Sequence, residues 1–312
     1  MTVYSRRHFL TLMGALALPP LLPGVPSNAA QLQSTLEDLI GSRNIGVAVG
    51  RYLIQDATLI ESYRVGINAD ALRPTASCFK AWIPAYYYTF MPPELWDDGE
   101  GAELRSVVQE SNNTNTGRIL ALVGEQQAFG NALEKFNDFL LYGLKLQHGI
   151  SSWNWPNNPL EGVVDDRFSS GEGRMVAAGG ELHAVGNVTT ATDTLNGYQA
   201  LLTRSLPNDA PNDFARRQEA ALRTLDLLAL SSTTDYLSPI ERILGKDSYT
   251  GKDGVLPAEQ ITTGRVINDA GIIPLREGVA MVSFFSVGES EYSAVEILRG
   301  LIAAIFALED AT

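Results

Sequence analysis

A chain of 312 residues with 36 acidic and 23 basic side chains has a formal net charge of −13. That balance argues against nucleic acid as a partner, because phosphate binding needs clustered Lys and Arg. Hydrophobic residues at 45% and charged residues at 19% describe a globular protein with an ample core. One cysteine, Cys78, and three histidines, His8, His148 and His183, exclude an intrachain disulfide and a multi-thiolate zinc site and argue against a histidine-rich metal centre. Nothing in the sequence points to a metal or an organic cofactor.

The opening Ser5-Arg6-Arg7-His8-Phe9-Leu10 leads into an apolar run that ends near Leu22. A basic head, a short apolar stretch and small residues before a cut describe a secretory signal, and the run is too short for a convincing membrane span. The paired arginines before Phe9-Leu10 resemble a twin-arginine export signal. Ser27-Asn28-Ala29 supplies small residues for cleavage, so residues 1–29 read as a leader and 30–312 as the mature domain. Export to the periplasm or the cell exterior, no membrane span after cleavage and a monomeric state are the expectations.

In the mature chain, apolar spacing predicts a helix over Gln31 to Ile40, closed by Gly41. Ile45 to Ile54 and Thr58 to Ile67 predict two strands joined by a hairpin turn at Gln55-Asp56-Ala57. Residues 77–245 read as mainly helical, with helices near Thr116–Val123, Ala128–Tyr142, Thr192–Leu202 and Asp213–Leu230. Ser151 to Val188 is a long irregular stretch, and loops of that length tend to serve function. Strands return at Gly254–Leu256, Arg265–Ile273 and Val279–Val287, with a turn at Pro274 to Gly278, and an amphipathic helix over Glu291 to Leu308 ends the chain. Strands at both ends and helices between them predict an α+β fold. One antiparallel sheet is built from the two chain ends, a helical second lobe spans about 77–245, and a site lies in the cleft between.

Three short motifs carry chemistry. In Thr75-Ala76-Ser77-Cys78-Phe79-Lys80, a Ser and a Lys at i and i+3 share a helix face. Such a lysine becomes a base for the hydroxyl only when burial or a neighbouring cation lowers its pKa. Ser111-Asn112-Asn113 reads either as a helix N-cap or as a proton relay, Ser111, beside a substrate-binding amide, Asn113. Lys252-Asp253-Gly254 reads either as a surface turn or as an edge strand whose backbone is open to an extended ligand. Thr262-Thr263-Gly264 is a rival position for that third motif, without a lysine. Cys78 reads as a small packing residue rather than a nucleophile. Trp153, Trp155 and Tyr86-Tyr87-Tyr88 read as packing aromatics more than as pocket walls.

Ser-x-x-Lys, Ser-x-Asn and Lys-x-Gly in that order resemble the serine β-lactamases and penicillin-binding proteins. The likeness extends over most of residues 31–308. Gly46-Val47-Ala48-Val49, Tyr142-Gly143-Leu144, Asn187-Val188-Thr189-Thr190-Ala191-Thr192 and Asn268-Asp269-Ala270-Gly271-Ile272-Ile273 all look like class A β-lactamase segments. The resemblance implies Ser77 as acylating nucleophile, Lys80 as general base, Ser111 as proton shuttle and Asn113 as substrate ligand. It implies Lys252 as a receptor for a substrate carboxylate, and the backbone N–H groups of Ser77 and of Val255, after Gly254, as an oxyanion hole. The substrate would be a β-lactam or a peptidoglycan peptide.

The sequence departs from the family in four respects. The interval from Ser77 to Ser111 is short, and Pro84 inside the helix that begins at Ser77 is expected to kink it. None of Glu161, Glu172 and Glu181 has the Glu-x-x-x-Asn spacing of the family's deacylating glutamate. Asp253 stands where the family has a hydroxyl residue. These departures keep open a slow-turnover D-alanyl-D-alanine peptidase or a silent binding module with the same fold.

Overall fold

The computed structural model describes residues 27–96, 99–153, 157–168, 175–178, 181–184, 187–207, 212–230, 238–245, 248–257 and 264–310. The leader through Pro26, Trp155, Glu172 and the rival Thr262-Thr263 lie outside the described residues.

Helix α1 runs Asn28–Ile40 rather than from Gln31, because the Ser27 hydroxyl accepts the Ala30 N–H at 3.3 Å and caps an earlier start. Strands β1 (Ile45–Gln55) and β2 (Thr58–Ile67) form the predicted hairpin. Its turn is the pair Asp56-Ala57, both left-handed (φ 47° and 58°), which suits the twist of a two-residue hairpin. The short strand β3 (Arg73–Pro74) leads to a 3-10 turn, Cys78–Trp82, and then to α2 (Ile83–Phe90). Pro84 therefore lies in the first turn of α2, where a missing N–H costs nothing, and the expected kink is replaced by a change of helix type at Trp82.

Helices α3 (Gly99–Gln109), α4 (Asn113–Glu125) and α5 (Ala132–Asp138) follow, the last continuing into a wider turn over Phe139–Gly143. The helix expected from Ala128 starts later because Asn131 and Glu134 form a capping box. The stretch expected to be irregular contains a small hairpin, β4 (Met175–Ala178) with β5 (Glu181–Ala184). It ends in β6 (Val188–Thr189), which pairs with β3. Then come α6 (Ala191–Ser205), α7 (Asn212–Leu228) and α8 (Pro239–Leu244).

The last strands, β7 (Thr250–Leu256), β8 (Val266–Leu275) and β9 (Gly278–Val287), precede helix α9 (Glu291–Asp310). β7 begins at Thr250, so Thr250-Gly251-Lys252 is strand and not a surface turn. Pro274 and Leu275 belong to β8, and only Arg276 and Glu277 turn the chain.

The five-stranded sheet is antiparallel in the order β2-β1-β9-β8-β7, so the two chain ends meet at β1 and β9, and β7 is an edge. Alternation along the strands divides the core in two. Val47, Val49, Val282 and Phe284 face α1, α8 and α9. Ala48, Tyr52, Met281 and Phe285 face the helical lobe, where α6 packs on the sheet and α2 lies behind it among α4 and α7. Among the described residues no helix is long and apolar enough to cross a membrane.

The placement of Pro84 has a measurable consequence. Pro84→Ala is expected to lose about 0.4–1 kcal/mol of stability by denaturant unfolding, because proline at a compatible site restricts the unfolded chain. A gain of about 3 kcal/mol, the relief of a mid-helix proline, would contradict this placement.

Candidate active site

Ser77 caps the 3-10 turn that begins at Cys78, and the Lys80 N–H donates to the Ser77 carbonyl at 3.0 Å. In a 3-10 turn residues i and i+3 come closer to eclipsing than on an α-helix, and Ser77 and Lys80 have that spacing. Ala76, just before Ser77, is left-handed (φ 49°), a strained conformation for a residue with a β-carbon.

Lys80 is fully buried. Its Nζ lies 2.6 Å from the Ser111 carbonyl, 2.6 Å from Asn113 Oδ1 and 3.2 Å from Ser111 Oγ. Ser111 is itself left-handed (φ 55°) and precedes α4, whose N-cap is Asn112, with Oδ1 accepting from the Asn115 N–H at 3.0 Å. Capping thus falls to Asn112, which leaves Ser111 and Asn113 on either side of it to meet the lysine.

Burial drives the Lys80 pKa well below the usual lysine value, and the nearby Lys252 charge pushes the same way, while Asp253 opposes it. The Trp153 ring, 5.3 Å from Nζ, favours the charged form by about 0.5–2 kcal/mol. Desolvating an ammonium costs several kcal/mol, so the lowering prevails. A neutral amine has two N–H donors and one lone pair. In that form the carbonyl and the amide oxygen would take the donors, and the lone pair would be left for a hydroxyl.

The third motif meets the first through the backbone. The Cys78 Sγ donates to the Lys252 carbonyl at 3.3 Å. A β-carbon on Gly254 would lie 2.7 Å from the Ser77 nitrogen and 2.9 Å from that of Cys78, so only glycine lets β7 approach the turn. Val255 follows on the same edge strand. The Lys252 Nζ pairs with Asp253 Oδ1 at 2.6 Å. A cleft of about 240 Å³ opens beside this strand, lined in part by Glu110, Ser111, Glu241, Lys252 and Asp253. Burial pushes the Cys78 thiol up, with the Asp253 and Asp269 carboxylates adding to the shift, which suits packing rather than nucleophilic attack.

Three buried asparagines that sequence reasoning left without a role hold these pieces together. Asn268 Nδ2 donates to the Pro74 carbonyl at 2.7 Å and ties β8 to the segment before Ser77. Asn187 accepts the Ser151 N–H at 2.9 Å and donates to the Ser152 carbonyl at 3.0 Å, while its own carbonyl takes the Thr75 N–H at 3.0 Å. Asn137 exchanges two bonds with the Ile150 backbone, at 2.7 and 2.9 Å. The loop is thereby held with the Trp153 ring against Lys80, and the Trp153 Nε1 donates to the Asn113 carbonyl at 3.0 Å.

Among the described residues, no loop carboxylate contacts Ser77 or Lys80. Glu161 is exposed, and Asp165 is held by Arg167 and Asn137, which keep its carboxyl below the usual range despite burial. Glu181 lies on β5. His148 holds Asp193 at 3.1 Å and so fastens the loop to α6. No group of three or more metal-ligating side chains occurs among the described residues.

No protein-family model and no curated protein matches the chain. Solved structures match its fold along most of its length. A β-lactamase from Sphaerobacter thermophilus DSM 20745 is 15% identical, with a TM-score of 0.58 over 90% of this chain and 97% of that one. The TLA-3 extended-spectrum β-lactamase is 13% identical, with a TM-score of 0.56 over 90% and 98%. The class A β-lactamase of the last common ancestor of Gram-negative bacteria is 19% identical, with a TM-score of 0.52 over 88% and 100%. The chain thus has the fold of the class A β-lactamases, the α+β architecture that its motifs resemble.

Behind the site, Asp269 is the cross-strand partner of Asp253 and is fully buried. It accepts from Tyr249 Oη at 2.6 Å and from the Ile240 N–H at 2.8 Å. Burial, then the Asp253 charge, pushes its pKa up to about 7 from 3.8. Between those values the folded chain keeps a proton that the unfolded chain releases. The stabilising contribution is therefore complete below the unfolded value and is lost as pH rises through about 7. Asp269→Asn is expected to gain on the unsubstituted protein by on the order of 2–4 kcal/mol between pH 4 and pH 8. Thermal midpoints of both proteins across that range check this, and a constant difference would mean that Asp269 does not titrate there.

Proposed function

We propose that the chain is an exported serine hydrolase, acylated on Ser77 by a β-lactam or a peptide-like amide and slow to release the acyl group. The observation that carries this reading is the buried Lys80 amine. Its two oxygen acceptors, Ser111 O and Asn113 Oδ1, account for both of its donors when it is neutral.

In the proposed acylation, the Ser77 hydroxyl attacks the carbonyl carbon as its proton passes to the Lys80 lone pair. The carbonyl π electrons move to oxygen, where the Ser77 and Val255 N–H groups would donate. The carbon–nitrogen bond then breaks, and the leaving nitrogen takes the proton back from Lys80 through Ser111 Oγ. An ester on Ser77 and a neutral Lys80 remain. Asn113, its Oδ1 occupied by Lys80, offers Nδ2 to a substrate carbonyl.

Release of the ester needs an activated water. Among the described residues, the loop brings the Trp153 ring to Lys80 and no carboxylate. That favours the behaviour of a D-alanyl-D-alanine peptidase toward penicillin, a persistent adduct, over rapid β-lactam turnover. The Ser5-Arg6-Arg7-His8-Phe9-Leu10 leader supports export. Cleavage after Ala29 would remove the Ser27 cap of α1, at about 1 kcal/mol.

A fluorescent penicillin and intact-mass measurement test the reading. One adduct per chain is expected, stable for many minutes, and lost in Ser77→Ala and in Lys80→Arg, whose side chain stays protonated. Fast nitrocefin turnover would replace slow release with β-lactamase activity, and absence of any adduct would leave a silent binding module. The labelling rate is also expected to stay high well below pH 10.5, because burial and Lys252 lower the Lys80 pKa. Lys252→Ala is expected to move the acid limb of that profile to higher pH, since it removes one of the causes of the lowering. A limb that does not move would separate Lys252 from the base.

A further inference from the structure

We infer that Asp253 is a specificity determinant that turns this site away from acyl donors with a free carboxylate, toward donors that are uncharged or cationic at that end. The inference rests on the acylation of Ser77 proposed above and names the charge class of its substrate.

Among the described residues, the positive charge available to a ligand at the third motif is Lys252, and it is already engaged. Its Nζ lies 2.6 Å from Asp253 Oδ1, and its side chain is only 5% exposed. An ammonium neutralised at that distance presents little field to an incoming anion. Among the described residues the adjoining cleft adds no cation, its other charged lining residues being Glu110 and Glu241. The chain as a whole carries a net charge of −13. A donor with a carboxylate at this end would meet repulsion. An ester or amide carbonyl could accept from Lys252, and an amine could pair with Asp253. Discrimination of this kind works through the charge set against the wrong ligand.

The position of Asp253 in the sheet supports the same conclusion. Its cross-strand partner is Asp269, and like charges directly opposite each other destabilise a strand pair. Asp253 also raises the Asp269 pKa and opposes the lowering of Lys80. The sheet gains nothing from a carboxylate here, and residues placed against local preference mark functional positions.

The test uses two probes that differ only in charge, a fluorescent penicillin with its free carboxylate and the same penicillin as its methyl ester. Second-order rates of Ser77 labelling are measured for the unsubstituted protein, Asp253→Ser and the isosteric Asp253→Asn, each checked for an intact thermal transition. The unsubstituted protein is expected to label at least about tenfold faster with the ester than with the acid, and both variants to reverse or erase that preference. Faster labelling by the acid, or a ratio unchanged in both variants, overturns the inference while leaving the acylation of Ser77 in place. Labelling by neither probe overturns the acylation itself, and the inference with it.

Discussion

Holding a lysine amine fully inside the protein, where burial drives its pKa down, is the constraint on which the rest of this site depends. An ammonium at the position of Lys80 would have to shed its hydration, at a cost of several kcal/mol that a ring face and polar oxygens do not recover. Burial therefore favours loss of the charge, and a neutral amine still needs acceptors for two N–H groups. Two acceptor-only oxygens stand 2.6 Å away. Meeting that need accounts for the left-handed Ser111, and it accounts for α4 being capped by Asn112 while the residues on either side turn to the lysine. The same need explains the change of helix type after Ser77. A 3-10 turn brings positions spaced like Ser77 and Lys80 closer to eclipsing, and Pro84 opens a regular helix only after that turn is complete.

The sheet serves this arrangement by bringing an edge strand against a helix start. β7 carries Gly254 where any side chain would strike the Ser77 and Cys78 nitrogens, and the Lys252 carbonyl takes the Cys78 thiol. Close approach of two backbones demands that they be held in register. Asn268 does this from β8, and Asn187 does it from the far end of the loop. Buried amides suit this task because each supplies both a donor and an acceptor to main chain that would otherwise go unpaired.

The parts that the sequence disclosed are those governed by local rules. Strand-like segments bounded by turn signals located β1, β2, β8 and β9 to within a few residues, and helical patterning located α4, α6, α7 and α9. The fixed order of three small polar motifs singled out Ser77, Lys80, Ser111, Asn113 and Lys252, and the fold brings Lys80 to Ser111 and Asn113. What escaped was decided by contacts distant in the chain. The strand start at Thr250 depends on pairing with Ile272, and the two-residue strands β3 and β6 exist only as partners of each other. The asparagines 137, 187 and 268 read as ordinary polar residues until the fold supplies main-chain groups for them. Pro84 was misjudged because a helix was assumed to begin at Ser77, whereas the switch at Trp82 makes its position a favourable one.

Forming and hydrolysing an ester on Ser77 ask different things of this architecture. Formation needs a hydroxyl and a base that are neighbours by covalent structure, and one helical turn supplies both. Hydrolysis needs a water that no bond holds in place, together with a group on the loop side to take its proton. On that side the loop is fixed by Asn137 to the backbone of Ile150 and by Trp153 to the carbonyl of Asn113, while Asp165 is committed to Arg167. Each of these bonds stabilises the wall beside Lys80, and among the described residues none leaves a loop carboxylate in contact with Ser77 or Lys80. The bonds that wall in the lysine thus commit the described polar groups of the loop to structure, and the proposed slow release of the ester rests on that commitment.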